Sequence, residues 1–411
     1  MVNENPLRVL IVSLHYAPER TGNAPYTAAL ARGLVNAGSS VEVITSYPFY
    51  PEWCVKPGYY GRRMEETIDG VRVRRYRHYV PIYGGTGWRR LLMELHFGFR
   101  AVFTKWGDHD IVLAVSPALF STFLVLLKAC ILKVPSGLWI QDLYSKGLKE
   151  SAQQSRLIAD IMLQFEGLVF RLPRGLAVIH PRFASFVRSQ FGIDTAQIAI
   201  IRNWTHLAVA DVPLDRSTVR SARGWTEKDI VVLHAGNMGM KQGLENVVNA
   251  AAMAEAQSSN IRFVLLGGGS RRATLEEASR GFVKLEFMDL LPDDEYMAVL
   301  HSADILLVNE QPGLKEMSVP SKLTSYFHAG LPIIAAVESD GVTAEEITAA
   351  RAGIVVRPGR PQELLDAVVA ISSDIAFATQ LGRSGQRYAR DVLTEEAAVR
   401  HFVSWLARLF P

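Results

Sequence analysis

Residues 230–256 read IVVLHAGNMGMKQGLENVVNAAAMAEA, and this stretch decides the fold. It begins with an apolar run of strand length, Ile230–Ala235, which is typical of a strand covered on both faces. A loop with Gly236 and Gly239 follows, and residues 243–256 have a helical pattern. Glycines let a ligand approach the backbone, and the free amides at a helix start favour anions. The stretch therefore predicts a strand, an anion-binding loop and a helix of a parallel sheet.

The same alternation of strands and helices extends over the whole chain. Apolar runs of strand length occur at 7–13, 41–45, 111–115, 136–140, 176–179, 198–201, 261–266, 283–287, 305–308, 333–336 and 353–356. Such alternation implies right-handed crossovers and parallel sheets. We therefore expect an α/β protein with two Rossmann-like, doubly wound parallel-sheet domains that face each other across a cleft. The predicted boundaries are 1–205, 206–392, and 393–411 for a C-terminal helix that packs back on the N-terminal domain.

The composition is that of an ordinary globular protein. Of the 411 residues 49% are hydrophobic and 21% are charged, which excludes a mostly disordered, collagen-like or coiled-coil chain. The two cysteines, Cys54 and Cys130, are too few for a disulfide framework and lack metal-ligand spacing. Residues 1–6 are polar and lead directly into a strand, so we expect no signal peptide and a cytoplasmic location.

Positive charge is concentrated in the first half of the chain. Residues 1–205 contain 24 Lys and Arg against 15 Asp and Glu, whereas the remaining residues contain 20 against 26. Between Arg72 and Lys105, eight cations and a single acid, Glu94, are interleaved with aromatic residues. This mixture suits a helix in a bilayer interface, although surface charge also varies between domains by chance. Because no nucleic-acid motif accompanies it, we expect segment 72–106 to bind the cytoplasmic face of the inner membrane peripherally, and no nucleic-acid partner.

One long apolar stretch, Ile111–Leu127, approaches the shortest length of a membrane-spanning helix. Pro117 interrupts it. We expect a buried strand at 111–115 followed by a buried helix at 118–132, and not a transmembrane segment.

Two candidate ligand loops follow predicted strands, which is where doubly wound sheets bind their ligands. The loop after the first strand carries His15, Glu19, Gly22 and Asn23. Its glycine opens a helix and lets an anion approach, although a plain tight turn is the alternative. In the loop after the strand 230–235, Asn237, Gly239 and Lys241 form a candidate cradle for a diphosphate. A surface lysine in a turn is the alternative here.

Two further loops of the second half are candidate nucleotide sites. Gly268 follows the strand 261–266 and either supports a base or ribose or merely turns the chain. Pro320 suits the first position of a helix, where its missing N–H costs nothing. The amides of Ser321 and Lys322 would then point at an anion, assisted by the helix dipole.

These loops, in this order, resemble the retaining glycosyltransferases of the GT-B fold, family 4, and most of all the bacterial polysaccharide-assembly branch with the colanic acid and amino-fucose transferases. The resemblance covers nearly the whole chain and rests on 18-PERTG-22, 141-QDL-143, 201-IRNW-204, 236-GNMGMKQGL-244, 319-VPSKL-323 and 328-HAGLPI-333. It implies transfer of a sugar from a nucleotide diphosphate donor, with retention at the anomeric carbon. The acceptor implied is a lipid-linked or polysaccharide-precursor sugar in bacterial cell-surface polysaccharide biosynthesis.

The resemblance also implies where the substrates bind. The donor is expected in the second domain and the acceptor in the first, with no metal and no cofactor, because basic residues and helix-end amides stabilise the leaving diphosphate. The nucleotide-sugar-binding residues implied are Gly22, Asn23, Asn237, Gly239, Lys241, Gly268, Ser321 and Lys322. His15 and Glu19 are expected on the acceptor side.

The sequence departs from the family pattern at several positions. Asn237 stands where many members have arginine, so Lys322 is expected to substitute for that charge. Many members also carry two glutamates eight positions apart, where this chain has Met317 and Ser325. Glu316, one residue away, is expected to reach the donor sugar.

A catalytic carboxylate is expected in the first domain, at Asp142, which lies closest to the position of the family's histidine beside the acceptor hydroxyl. Asp142 would orient or deprotonate the acceptor. A helix N-cap directly after a strand is the alternative role for this aspartate.

Three other functions fit parts of the sequence. A non-hydrolysing nucleotide-sugar epimerase shares the fold and the donor class, but gives no reason for the basic aromatic segment. A two-lobed periplasmic sugar-binding protein would need a signal peptide and no phosphate cradle. A catalytically idle membrane scaffold is compatible with the missing glutamates.

Overall fold

The computed structural model describes residues 6–20, 22–82, 87–146, 156–204, 215–315 and 322–410. The chain forms two compact units, one made of Met1–His206 with Thr394–Pro411 and the other of Leu207–Leu393. Each unit is an α/β structure built on a sheet, and the prediction of two doubly wound α/β domains is confirmed.

The first unit contains an eight-stranded sheet in the order β3-β4-β2-β1-β5-β6-β7-β8. The strands are β1 Arg8–Val12, β2 Ser40–Ser46, β3 Arg63–Ile68, β4 Val71–Tyr76, β5 Ile111–Val115, β6 Ser136–Ile140, β7 Gly175–Val178 and β8 Ile198–Ile200. The described helices before the second unit are α1 Ala24–Asn36, α2 Trp88–Phe103, α3 Leu119–Leu132, α4 Arg156–Phe170 and α5 Pro181–Phe191. The chain proceeds outward from β1 in one direction and from β5 in the other, so a ligand crevice is expected at their carboxyl ends.

The sheet of the first unit is not wholly parallel, because β3 pairs with β4 in the antiparallel sense. Asp69 and Gly70 make the connecting turn, with φ angles of 50° and 78°. Two positive φ angles suit the tight turn of a hairpin, which explains the Asp-Gly pair. The sequence analysis did not predict this hairpin.

The prediction of a single interfacial segment at 72–106 is wrong for its first part. Residues 71–76 form β4 inside the sheet, where Arg74 and Arg75 are buried. Arg74 is ion-paired with Glu42, and Arg75 with Glu66. Pairing with carboxylates of neighbouring strands explains how these cations are tolerated away from water. For α2 and the residues after it, the interfacial role stays a prediction.

The prediction for 111–132 is correct in its elements and wrong in one detail. Residues 111–115 form the fully buried strand β5 and 119–132 form α3. However, the outer side of α3 exposes Leu127, Ile131 and Leu132, so the helix is not buried throughout. Within the described part of the chain no single helix is long and apolar enough to span a bilayer. The segments 361–373 and 375–409 reach that length and apolar composition only when taken together, and a bend of 100° separates them.

The second unit contains a six-stranded parallel sheet in the order β11-β10-β9-β12-β13-β14. The strands are β9 Ile230–Ala235, β10 Ile261–Leu266, β11 Leu285–Met288, β12 Ile305–Asn309, β13 Ile333–Ala336 and β14 Gly353–Val356. The helices are α6 Arg216–Ala222, α7 Glu245–Ala256, α8 Arg272–Ala278, α9 Asp293–Ser302, α10 Lys322–Ala329, α11 Val342–Ala350, α12 Pro361–Ser373 and α13 Ile375–Val392. Buried side chains cover both faces of this sheet. The strand order reverses beside β9, which places the expected ligand crevice at the carboxyl ends of β9 and β12.

The last helix, α14 Glu395–Leu409, belongs to the first unit. Its Trp405 lies over Gly137 of β6, where an added Cβ would be 2.6 Å from the indole Cη2 atom. Leu409 lies in the same way over Gly175 of β7, with 2.7 Å to its Cδ2 atom. The two glycines therefore make room for the large side chains of α14 on the sheet.

Candidate functional site

Two glycine loops interlock at the carboxyl ends of β9 and β10. The Gly236 amide donates to the Leu266 carbonyl at 2.8 Å, and the Met238 amide donates to the Gly268 carbonyl at 2.8 Å. Gly267 has a φ of 134°, and an added Cβ there would be 2.1 Å from the Gly236 oxygen. No side chain fits between the loops at Gly267, so this glycine is required by close backbone contact. Gly268 contributes only its carbonyl to the contact, and an added Cβ there would meet no atom within 4 Å, so its role as a nucleotide-binding residue stays a prediction.

The lysine of the first loop lies in a short turn, Met240–Gln242, and Lys241 is exposed. Its carbonyl accepts from the Gln311 amide after β12 at 2.8 Å. The buried Asn309 side chain donates to the carbonyls of Gln242 and Gly243 at 2.8 and 2.9 Å. The turn is therefore fixed to the end of β12 by a buried amide that sequence reasoning missed.

Asn309 is itself held by a second buried amide. The Asn246 side chain of α7 donates to its Oδ1 atom at 2.8 Å. This chain of bonds positions the Lys241 turn through α7 and β12, and a rigid turn can present a charge without ordering cost.

Lys322, the first residue of α10, forms the most distinctive contact of this unit. Its Nζ atom lies 3.0 Å from Nε2 of His234, a fully buried histidine of β9. An added Cβ on Gly236 would be 3.4 Å from Nζ, so the ammonium lies against the glycine loop. Burial lowers the pKa of Lys322 to about 7, while the charge of Glu310 acts in the opposite direction. Burial also holds the pKa of His234 well below its usual range.

The remaining donor-side predictions have mixed outcomes. The Gly239 amide donates to Oε1 of Gln242 at 3.0 Å, and the Asn237 side chain approaches the same oxygen at 3.4 Å. The Gly239 amide is therefore already satisfied within the loop. Glu316 and Ser321 lie outside the described residues.

In the first unit, His15 and Glu19 form a pair after β1. His15 Nδ1 lies 2.7 Å from Oε2 of Glu19, whose side chain is buried. The other oxygen, Oε1, accepts from the amides of Phe49 and Tyr50 at 2.8 and 2.9 Å. Because both oxygens are engaged, Glu19 orients the imidazole and does not itself present a free carboxylate.

The other first-unit candidates also lie at strand ends. Gly22 is an exposed turn residue with a φ of 66°, two residues before the start of α1. The buried Asn23 side chain donates to the Ser116 carbonyl at 3.1 Å, which ties the loop after β1 to the loop after β5. Asp142 is partly buried, two residues after β6 and two before a helical turn that begins at Tyr144. Asn23 therefore has a structural bond that its predicted role did not include.

Known proteins match this chain over both units. Residues 21–204 match the glycosyl transferase 4-like domain, and residues 229–374 match the glycosyl transferases group 1 domain. The colanic acid biosynthesis glycosyl transferase WcaI of Escherichia coli K12 is 27% identical, over 97% of this chain and 99% of the relative.

Solved structures share the architecture. Sucrose-phosphate synthase from Thermosynechococcus elongatus superimposes with a TM-score of 0.73 at 19% identity, covering 98% of this chain and 99% of that one. HepE of Anabaena, in complex with UDP-glucose, gives a TM-score of 0.70 at 14% identity, covering 98% and 100%. With both units matched to glycosyltransferase domains and the whole architecture shared, the chain is a glycosyltransferase of the group 1 family with the GT-B fold.

Proposed function

We propose that this glycosyltransferase moves a sugar from a nucleoside diphosphate sugar to a lipid-linked or polysaccharide-precursor acceptor in bacterial cell-surface polysaccharide biosynthesis, with retention at the anomeric carbon. The full-length likeness to a colanic acid biosynthesis transferase supports the pathway class. The HepE complex with UDP-glucose supports the donor class. The observation that carries the proposal is the Lys322 side chain against the Gly236 loop, where the sheet order reverses.

On the donor side, Lys241 and Lys322 stabilise the diphosphate as it leaves. One lysine is fixed through its turn to β12, and the other is held against the glycine loop. Each supplies a compact positive charge where negative charge develops, and one such donor is typically worth about 3 kcal/mol of transition-state stabilisation. In this proposal no metal ion is needed, Asn237 and Ser321 assist the nucleotide, and Glu316 contacts the donor sugar.

On the acceptor side, His15 and Asp142 contact the acceptor. Glu19 accepts from Nδ1 of His15, so Nε2 is the nitrogen that bonds to an acceptor hydroxyl. Asp142 orients or deprotonates that hydroxyl. Glu19 acts as a positioning residue through His15.

An apolar face on the first unit would bind the membrane that holds the acceptor's lipid. It is formed by the outer sides of α2, α3 and α4. Its exposed members include Trp88, Phe99, Phe103, Ile131, Leu157 and Ile161. Exposed cations flank it, among them Arg89, Lys105 and Lys133. Apolar side chains rimmed by cations suit an anionic bilayer surface. We propose that this face holds the enzyme peripherally on the cytoplasmic side of the inner membrane.

The proposal is tested by incubating the protein with a panel of nucleoside diphosphate sugars, with and without lipid-linked sugar acceptors. Free nucleotide and a new α- or β-linkage are measured, and the expected product keeps the donor's anomeric configuration. An altered sugar without acceptor would indicate an epimerase, and donor binding without turnover a scaffold. An inverted linkage would contradict retention alone.

A further inference from the structure

We infer that His234 is a positioning residue for the donor site, which fixes Lys322 against the diphosphate, and that donor binding is coupled to proton uptake by this pair. The inference rests on the proposed function, because it concerns the same diphosphate. Neither a motif nor a match to known proteins assigns a role to His234.

The geometry leaves Lys322 little freedom. His234 is fully buried in β9, and its Nε2 atom is 3.0 Å from Nζ of Lys322. On the other side, the Lys322 Cε and Nζ atoms lie 3.3 and 3.4 Å from the position of a Cβ on Gly236. A side chain at residue 236 would therefore crowd the lysine, and the glycine permits its approach. The ammonium is held between a buried ring and the loop that is proposed to bind phosphate.

The chemistry of the contact fixes the form of the histidine. A lysine ammonium has three donors and no acceptor, so its bond to His234 requires an unprotonated Nε2. The ring is kept neutral by its burial, which lowers its pKa, and by the nearby charge of Lys322. A neutral His234 thus accepts one N–H of Lys322 and leaves the other two for phosphate oxygens.

The groups around Lys322 set when it is charged. His234 faces it from β9 and Glu310 from the segment after β12, and Tyr326 of its own helix has its hydroxyl engaged by the Ala235 amide at 2.8 Å. Burial lowers the pKa of Lys322 to about 7, against the opposing effect of Glu310. A diphosphate beside Nζ favours the ammonium form. Above pH 7 the free lysine is increasingly neutral, so binding must take up a proton and weakens as the pH rises.

The experiment titrates the full chain with UDP, ADP, GDP and dTDP by calorimetry between pH 6 and pH 9, in pairs of buffers with different ionisation enthalpies. For wild type we expect a nearly constant Kd below pH 7, a rising Kd above it, and proton uptake at pH 8. His234→Leu should raise Kd at pH 7 about tenfold or more, because it removes a bond to a charged group. It should also move the onset of weakening to lower pH.

Two variants serve as matched controls. His234→Gln places an amide oxygen near the position of Nε2 and should restore most of the affinity and the wild-type onset. His301→Leu removes a partly buried histidine of α9 and should leave both quantities unchanged. If His234 had only a structural role, His234→Leu would lower the melting temperature without changing the pH above which Kd rises.

The outcomes separate the two levels of the proposal. If wild type binds none of the four nucleotides, the proposed function fails. If wild type binds and His234→Leu keeps both its Kd and its pH onset, the inference about His234 is overturned while the function stands. Should the leucine variant not fold, Lys322→Met decides the coupling, because proton uptake that persists in this variant overturns it.

Discussion

The apolar face of the first unit provides the sharpest test of membrane binding, through the double substitution Phe103→Ser and Ile131→Ser. Phe103 is 84% exposed and Ile131 is 72% exposed. The end of α2 that carries Phe103 lies beside α3, the helix of Ile131, because Lys128 of α3 donates to the carbonyls of Val102 and Thr104 at 2.8 and 2.7 Å. Neither side chain contributes to the buried core, so the substitutions should leave folding intact.

The magnitude follows from the exposed fractions. Full burial of a phenylalanine or isoleucine side chain is worth about 1.5–3 kcal/mol, and most of each side chain is available for burial in a bilayer. The pair should therefore contribute about 3 kcal/mol to membrane binding. A loss of this size corresponds to roughly a hundredfold weaker partition into vesicles.

The assay is co-sedimentation with vesicles that contain an anionic phospholipid, repeated with neutral vesicles and at raised salt. Wild type should bind anionic vesicles best and lose part of the binding in salt, because exposed cations flank the apolar face. The matched control is Val369→Ser with Ile375→Ser in the second unit, where the exposed fractions are 54% and 80%. This control should partition like wild type.

Equal partition of the Phe103/Ile131 variant and wild type would refute the membrane-binding face. Equal loss in the two double variants would show that binding follows general surface hydrophobicity. Neither result would contradict the proposed donor site, since all four substituted positions lie outside it.

Three further predictions concern turnover and stability. Lys241→Met should lower kcat about a hundredfold with an unchanged melting temperature, because the exposed side chain acts on the leaving diphosphate. The control is Lys228→Met, which changes an exposed lysine before β9 and should keep the wild-type rate. A rate near wild type for Lys241→Met would remove that lysine from the site. EDTA should leave the rate of sugar transfer unchanged, since Lys241 and Lys322 supply the positive charge; a rate lost in EDTA and restored by Mg²⁺ would contradict this. The free energy of unfolding of Glu94→Gln, measured relative to wild type by urea titrations, should increase by up to about 3 kcal/mol as the pH rises from 4 to 8. Burial raises the pKa of Glu94 to about 7, so the wild-type carboxyl loses its contribution as the pH rises through that value, and a pH-independent difference would argue against this cause.

The elements of the fold were predictable where a single physical signal dominated. The stretch 230–256 folds as predicted, because an apolar run, glycines and a helical pattern all agree, although α7 begins at Glu245 rather than Gly243. The hairpin of β3 and β4 was missed. Its Asp69-Gly70 turn signal is present, but cations interleaved with aromatic residues from Arg72 onward are also typical of an interfacial segment. The ion pairs that let Arg74 and Arg75 lie in a strand join them to carboxylates of neighbouring strands, and no local pattern shows this pairing.

The sequence predicts which loops carry the candidate site, but not the side-chain contacts that hold those loops in place. Strand ends identified Lys241 and Lys322 as candidates, because ligands of doubly wound sheets bind there. The contact of Lys322 with His234 joins residues 88 positions apart, and Asn309 reaches the Lys241 turn across 67 positions. Neither contact leaves a local pattern in the sequence. A histidine inside the apolar strand 230–235 is a sequence sign of the first contact, but it predicts no contact unless Lys322 is known to lie beside it.

The return of the last helix to the first unit has a consequence for biosynthesis. Trp405 and Leu409 fill the space over Gly137 and Gly175, so this part of β6 and β7 stays uncovered until α14 has been translated. During synthesis the ribosome must therefore release the entire second unit before the first can complete its packing. A nascent chain stalled before residue 394 should expose this sheet surface to chaperones, and a short C-terminal truncation should damage the half of the enzyme that was made first.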